Sequence, residues 1–159
     1  MKMRIGFGYD VHRLQEGEDM YLGGAPIPCD KGTVGHSDAD ALIHAICDAL
    51  LGAAGLRDIG HHFPDTDPKY KGIDSKILLK EVVSLLGQHN YEIGNIDSTL
   101  VIERPKINPH IDEMKEILAP ILNIALEDIG IKATTNEKVG FIGREEAVCA
   151  YAVALIQKK

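Results

Sequence analysis

The sequence has no tryptophan, five tyrosines, three phenylalanines and three cysteines in 159 residues. So few rings leave little material for the aromatic platforms on which single-stranded nucleic acid stacks. Cys29, Cys47 and Cys149 are an odd, widely spaced set without a CxxC pair. That argues against a disulfide framework and against a thiolate zinc site, so all three read as packing residues. Basic excess is missing too. Seventeen Lys and Arg against 24 Asp and Glu leave a net charge of -7, the wrong sign for binding nucleic-acid phosphates. No apolar run approaches the ~20 residues that span a bilayer. The start, Met1 to Gly6, enters a strand pattern without the apolar core of a signal peptide. Walker, GxGxxG and GxSxG motifs are absent. The expectation is one cytoplasmic domain over residues 1–159, with no membrane and no nucleic-acid partner.

What is present is periodicity. Arg4 to His12 alternates Ile5, Phe7 and Tyr9 with Gly6, Gly8 and Asp10, which predicts a strand whose small side lets another element approach closely. Met20 to Pro28 reads as an edge hairpin turning at Gly23-Gly24. A helix is predicted to open at Ser37, with Asp40 completing a capping-box variant and Gly55 stopping it. Leu42, Ile46, Ala49, Leu50 and Ala53 form its apolar stripe, with Asp40, His44 and Asp48 pointing away from it. Asp58 to Asp67 reads as a polar loop and Ser75 to Leu86 as a second helix. A strand over 94–103 follows, then a helix opening at Asn108-Pro109 that Pro120 should kink or shorten. Ile129 to Thr135 and Ala147 to Gln157 read as strands, with helix the competitor for the Ala-rich last segment. This order predicts an α+β fold: a mixed sheet of about four main strands, helices on one face and a small hairpin. The last strand carries apolar residues on both sides of the pleat, Val148, Ala152 and Ile156 among them, so a second subunit is expected on the open face.

Several segments carry chemistry. Residues two apart on a strand share a side, so Asp10 and His12 present a carboxylate and an imidazole together, and His44 on the next helix can join them. Two imidazoles and one carboxylate with an open fourth position suit a catalytic zinc. The same residues also suit a capped turn and two hydrogen-bonded histidines. His36 and Ser37 stand at a helix start, where free N–H groups can hold a phosphate or where Ser37 merely caps. The carboxylates of Asp58 to Asp67 can bind hydroxyls or a hydrated cation, or simply form a solvated turn. Thr134, Thr135, Asn136, Glu137 and Lys138, followed by Gly140 to Arg144, fit a phosphate and metal clamp or an ordinary capped turn. Arg104-Pro105-Lys106 is a cationic exit from a strand.

Taken together, RIGFGYDVH, HSDAD, DIG-x-x-FPDTDP, IERPKINPHI and IKATTNEKVGFIGREE resemble the 2-C-methyl-D-erythritol 2,4-cyclodiphosphate synthase family, in order and over nearly the whole chain. The resemblance implies a homotrimer with sheets facing the threefold axis and active sites at subunit interfaces. It implies conversion of 4-diphosphocytidyl-2-C-methyl-D-erythritol 2-phosphate to the cyclic diphosphate with loss of CMP. Asp10, His12 and His44 match the family's zinc ligands, and Glu137 the ligand of a second divalent ion, magnesium or manganese. Family substrate contacts fall on Asp10, Val11 and His12, on His36 and Ser37, and on Asp58, Ile59 and Gly60. They continue over Phe63, Pro64, Asp65, Thr66 and Asp67. The cytidine side falls on Ile102, Glu103, Arg104, Pro105, Lys106, Ile107 and Asn108, with Thr134, Thr135, Asn136, Glu137, Phe141 and Arg144. His36 and Thr135 match the residues that stabilise charge during the transfer. Two positions depart from the family pattern: Asn136 replaces a third Thr, and Glu145-Glu146-Ala147 replaces a more Gly-rich segment. The match begins at the first residues, so no fused nucleotidyltransferase is expected. Two other readings stay open, a binding protein without turnover and a zinc hydrolase with Asp40 or Asp48 as general base.

Overall fold

A computed structural model describes residues 2–159. A five-stranded mixed sheet runs β4 (Lys31–Val34), β1 (Met3–Glu16), β7 (Ala147–Lys158), β5 (Tyr91–Val101) and β6 (Ile129–Thr134) in spatial order. Among the described residues only the β5–β6 pair is parallel. The predicted hairpin is a separate two-stranded ribbon, β2 (Tyr21–Leu22) and β3 (Ala25–Pro26). β4 is a fifth strand that the four-residue run Lys31–Val34 gave too little periodicity to reveal. The last segment is a strand, not a helix, because β1 and β5 pair with it on both sides.

Three long helices cover one face: α1 (Ala41–Ala54), α3 (Ser75–Gln88) and α4 (Ile111–Leu122). Short helical turns, α2 (Ile59–His62) and α5 (Gly140–Gly143), interrupt segments expected as loops. The seat of α1 is set by two glycines of β1. A Cβ on Gly6 would lie 1.9 Å from the Ala49 carbonyl oxygen, and one on Gly8 would lie 1.9 Å from that of Ala45. Hydrogen alone fits between this strand and this helix. Small residues of β7 (Ala150, Ala152 and Ala154) extend the same shallow floor, and all are buried. α1 is enclosed almost all round, with Leu42, Ile43, Ile46, Leu50 and Leu51 fully buried between the sheet and α3.

Two helix boundaries differ from the sequence expectation. α1 opens at Ala41 with Asp40, not Ser37, as its N-cap, the Asp40 carboxylate accepting from Ile43 N at 3.0 Å. α4 continues through Pro120 to Leu122; the proline stands in the last turn, where its missing N–H costs a single backbone bond and only two helical residues follow it. Its first turn is preceded by a 3-10 turn at Asn108–His110. On the opposite side of the sheet, Met3, Ile5, Phe7, Tyr9, Val11, Tyr151 and Val153 are exposed, Ile5 to 72% and Phe7 to 63%. An apolar face this continuous is unusual on an isolated soluble chain.

Candidate metal centre and nucleotide cleft

β1 presents Gly6, Gly8, Asp10 and His12 toward α1 in successive steps of two. The glycines hold the helix down; one step further along, where α1 begins, the strand carries Asp10 and His12. His44, in the first turn of α1, meets them. Asp10 Oδ2 lies 2.8 Å from His12 Nδ1 and 3.1 Å from His44 Nδ1, and donor atoms of the three residues lie within 4.8 Å of one another. His12 Nδ1 is buried, yet its 2.8 Å approach to Asp10 lacks hydrogen-bond alignment, which leaves a buried nitrogen without a hydrogen-bond partner. Buried polar atoms are rarely orphaned. Two imidazole nitrogens and a carboxylate oxygen converging on one point, one nitrogen without a partner, fit a divalent metal.

The electrostatics agree. Burial opposes ionisation of Asp10, but the close approach of the His12 ring and the hydrogen bond with His44 outweigh it and hold its carboxyl below the ordinary range. Burial likewise opposes charge on His44, and the Asp10 bond overrides it, raising the imidazole's affinity for a proton. His44 is more enclosed than its place off the apolar stripe suggests, with a side chain 12% exposed and Nε2 contacts of 2.8 Å to Ser75 Oγ and 3.2 Å to Ser37 Oγ. The backbone of Gly35 presses on His12 from the other side: a Cβ there would lie 3.0 Å from the ring.

The remaining expected residues fall into two groups. Around the metal position, His36 is exposed in the loop before α1, and Ser37 Oγ accepts from Ala39 N at 3.2 Å. Since the helix starts at Ala41, these residues belong to a preceding loop and not to its first turn. Asp58 stands at the start of α2. Asp48 accepts from Ile59 N at 2.7 Å and thereby ties Asp58, Ile59 and Gly60 to α1. Phe63 and Pro64 are half-buried, Asp65 and Thr66 exposed, and Asp67 caps a 3-10 turn by accepting from Lys69 N.

The second group lines a cavity of 240 Å³ formed by Ile102, Glu103, Pro105 to Asn108 and Ala133 to Thr135. Glu103 holds it together, its Oε1 accepting from Asn136 N at 2.7 Å and Lys138 N at 3.3 Å. Asn136 therefore keeps a backbone anchor, and its side chain donates to Val139 O at 2.7 Å. Glu137 is exposed beside Thr135, whose hydroxyl accepts from Glu137 N at 3.3 Å. Arg104 faces away into a bidentate pair with Glu145, at 2.9 and 2.8 Å. Arg144 pairs with Glu146 at 2.8 Å, and Phe141 is exposed nearby on α5. The two acids after Arg144 thus have separate cations.

The two groups share one end of the sheet. Asp10 pairs with Ala150, Ala150 with Leu100, and Leu100 with Ala133. Three strand spacings put about 14 Å between the first and last backbones of that row. Asp40, weighed as a general base, is excluded from that role. It is fully buried and accepts from Gly23 N, Gly24 N and Ile43 N at 2.9, 2.7 and 3.0 Å.

A model of the YgbB family matches residues 3–157. The chain belongs to the YgbB family. Its YgbB relatives include the 2-C-methyl-D-erythritol 2,4-cyclodiphosphate synthase of Porphyromonas gingivalis, 61% identical over 153 residues, 96% of this chain and 94% of that protein. The synthase of Cytophaga hutchinsonii is 60% identical over 158 residues, 99% of each chain. Among solved structures, a 2C-methyl-D-erythritol-2,4-cyclodiphosphate synthase in a CDP-bound form superposes with a TM-score of 0.90 at 39% identity, covering 97% of this chain and 100% of that one. The bifunctional IspDF of Campylobacter jejuni superposes with a TM-score of 0.95 at 37% identity, covering 99% of this chain but 43% of the other. This YgbB chain therefore matches under half of that bifunctional protein.

Sequence reasoning missed Asp38, Ser75 and Asp48 as supports of the site. Ser75 follows Asp74 at a helix start, a pattern that reads as capping alone. Nothing in the chain's local pattern ties it to His44, 31 residues away.

Proposed function

We propose that this protein is a 2-C-methyl-D-erythritol 2,4-cyclodiphosphate synthase, a metal-dependent, cyclising and CMP-releasing lyase of cytoplasmic isoprenoid precursor synthesis. The observation that carries the reading is the Asp10–His12–His44 cluster with its orphaned nitrogen, in a chain 61% identical to a protein of that name. The substrate is 4-diphosphocytidyl-2-C-methyl-D-erythritol 2-phosphate. Its 2-phosphate oxygen attacks the β-phosphorus and the bond to the CMP oxygen breaks, so CMP departs with the electron pair. The nucleophile is already tethered to the electrophile, and no side chain need become covalent.

What opposes this step is the approach of one anion to another. A divalent ion at the three ligands, zinc in our reading, supplies Lewis-acid stabilisation of phosphoryl oxygens. His36 and Ser37 hold the terminal phosphate, and His36 and Thr135 donate to oxygens that gain charge in the transfer. Asp58, Ile59 and Gly60, with Phe63 to Asp67, seat the methylerythritol. Lys106, Thr134, Phe141 and Arg144 receive the cytidine diphosphate along the cavity of Ile102 to Asn108. Glu137 would hold a second divalent ion, magnesium or manganese, which would offset charge on the diphosphate. With a net charge of -7, local cations rather than overall charge must do this work. The exposed apolar face of β1 and β7 supports assembly as a homotrimer with sheets inward. A neighbouring copy's nucleotide cleft then closes each metal centre.

The test is product identity. Given the substrate with zinc and magnesium, the purified protein yields CMP and the cyclic diphosphate by mass spectrometry, and a chelator stops both. A linear bisphosphate with CMP would mean that water is the nucleophile and would overturn the cyclisation. No CMP from a folded, metal-loaded protein would leave a binding protein without turnover.

A further inference from the structure

Behind His44 lies a buried polar relay that the reaction itself does not need. Ser75, the first residue of α3, is fully buried. Its backbone N–H donates to Asp38 Oδ2 at 3.0 Å, and its hydroxyl donates to Asp38 Oδ1. Asp40 N also donates to Asp38 Oδ1, at 3.3 Å. On its other side Ser75 Oγ lies 2.8 Å from His44 Nε2. We infer that Asp38 and Ser75 are positioning residues that fix His44 as its Nε2–H tautomer and so aim its Nδ1 at the metal position. This rests on the metal reading given above.

The argument is one of counting hydrogens. A carboxylate has none to give, and a serine hydroxyl has one. Asp38 takes that one, so Ser75 can offer His44 only an oxygen lone pair. Nε2 then carries a hydrogen that Ser75 accepts, with Ser37 Oγ 3.2 Å from the same nitrogen. Nδ1 faces the Asp10 carboxylate at 3.1 Å; a hydrogen bridges the two in the metal-free protein, and a bound metal would take that hydrogen's place on Nδ1. Metal-bound histidines commonly donate their second nitrogen to such a partner, and losing that partner typically weakens metal binding 10–100-fold. Capping does not account for the arrangement, because Asp74 already caps α3 by accepting from Lys76 N at 2.9 Å.

The relay predicts opposite consequences for two variants. Ser75→Ala removes the acceptor. Asp38→Asn replaces one acceptor by an NH2 group; facing the hydroxyl it gives up only the longer 3.3 Å bond from Asp40 N and keeps the 3.0 Å bond from Ser75 N, and the hydroxyl can turn. The serine hydrogen then points at His44 Nε2 and opposes its N–H. Two measurements on the full chain test this: zinc affinity by competition with a chromogenic chelator, and the His44 nitrogen that keeps its hydrogen, by long-range 15N–1H NMR of the zinc-loaded protein. We expect an Nε2–H tautomer in the wild type and zinc binding 10–100-fold weaker in each variant. Asp38→Asn moves the His44 Nε2–H resonance, because the serine hydrogen now faces it, a signature that a purely structural role would not move. Zinc affinity within twofold of wild type in both variants, or an Nδ1–H tautomer in the wild type, would overturn the relay. If the wild type takes up no zinc, the metal reading fails and takes the relay with it, whereas zinc bound equally by all three proteins overturns the relay alone. Should Ser75→Ala not fold, Asp38→Asn and the wild-type tautomer still decide.

Discussion

Asp40 is the buried charge on which the hairpin hangs, and removing it tests that assignment by sign as well as size. Its carboxylate caps α1 through Ile43 N and accepts from Gly23 N and Gly24 N, with no exposed surface. Losing an N-cap costs about 1 kcal/mol. Orphaning two further buried N–H groups costs about 1–3 kcal/mol each. Asp40→Ala should therefore cost about 3–7 kcal/mol where the native carboxyl is uncharged. Burial, against the N–H bonds of Ile43 and Gly24, pushes the Asp40 carboxyl from 3.8 up to about 6. A carboxyl with a raised folded pKa binds more protons folded than unfolded between those values. Its contribution to stability then falls as pH rises through them. From pH 4.5 to 7 that loss is about 2 kcal/mol in the wild type, and absent from the variant. The stability gap between the two should shrink by this amount. Urea unfolding at both pH values, in chelator so that metal binding does not enter, measures it. A gap below about 1 kcal/mol at pH 4.5, or a gap that widens with pH, would refute the reasoning.

Gly8→Ala should lift α1, because its Cβ would sit 1.9 Å from the Ala45 carbonyl oxygen; we expect about 3 kcal/mol lost in urea unfolding together with weaker zinc uptake, and a change under 1 kcal/mol would mean that the helix seat is looser than described. His44→Ala should abolish zinc binding and turnover together in atomic absorption and product assays, and retained zinc with full activity would remove it from the ligand set. Glu103→Ala frees Asn136 N and Lys138 N and should weaken CDP binding about 5–10-fold by calorimetry, the equivalent of about one hydrogen bond. Phe7→Glu places a charge on the exposed apolar face and should reduce a trimeric mass to that of one chain in light scattering; a monomeric wild type would end the interface reading.

Period-two alternation identified β1 and β5, and the capped amphipathic patterns identified three helices, because each signal lies within one element. What failed was non-local. Asp40 looked like an outward-facing carboxylate on the helical wheel, and its true partners, Gly23 and Gly24, sit 17 and 16 residues earlier. β4 is short, and it exists because the end of β1 offers it a partner at Arg13 to Glu16. The zinc candidates could be named from the i, i+2 spacing of Asp10 and His12, but their distances and the orphaned nitrogen could not. Family resemblance supplied the nucleotide residues, whose side chains alone spell no motif. It gave no hint that Glu103 fastens the two segments together or that Glu145 takes Arg104 away from the cleft.

The seat of α1 also explains why the ligands meet where they do. Two residues of strand advance about 6.7 Å, and four residues of helix advance about 6 Å. Antiparallel to one another, the two elements therefore stay nearly in step. Gly6 lies against Ala49 and Ala53, and Gly8 against Ala45 and Ala49. One more step brings Asp10 opposite the first turn of α1, beside His44. The metal centre thus occupies the first place along β1 where the helix no longer needs a glycine beneath it. The odd residues of the same strand, Ile5, Phe7, Tyr9 and Val11, point to the other face and remain exposed. A one-residue slip of β1 would exchange these sets, burying Phe7 under α1 where no Cβ fits and turning Asp10 and His12 away from His44. Register in this strand is consequently held by steric exclusion on the helix side, and the same constraint that fixes the fold fixes the ligand geometry.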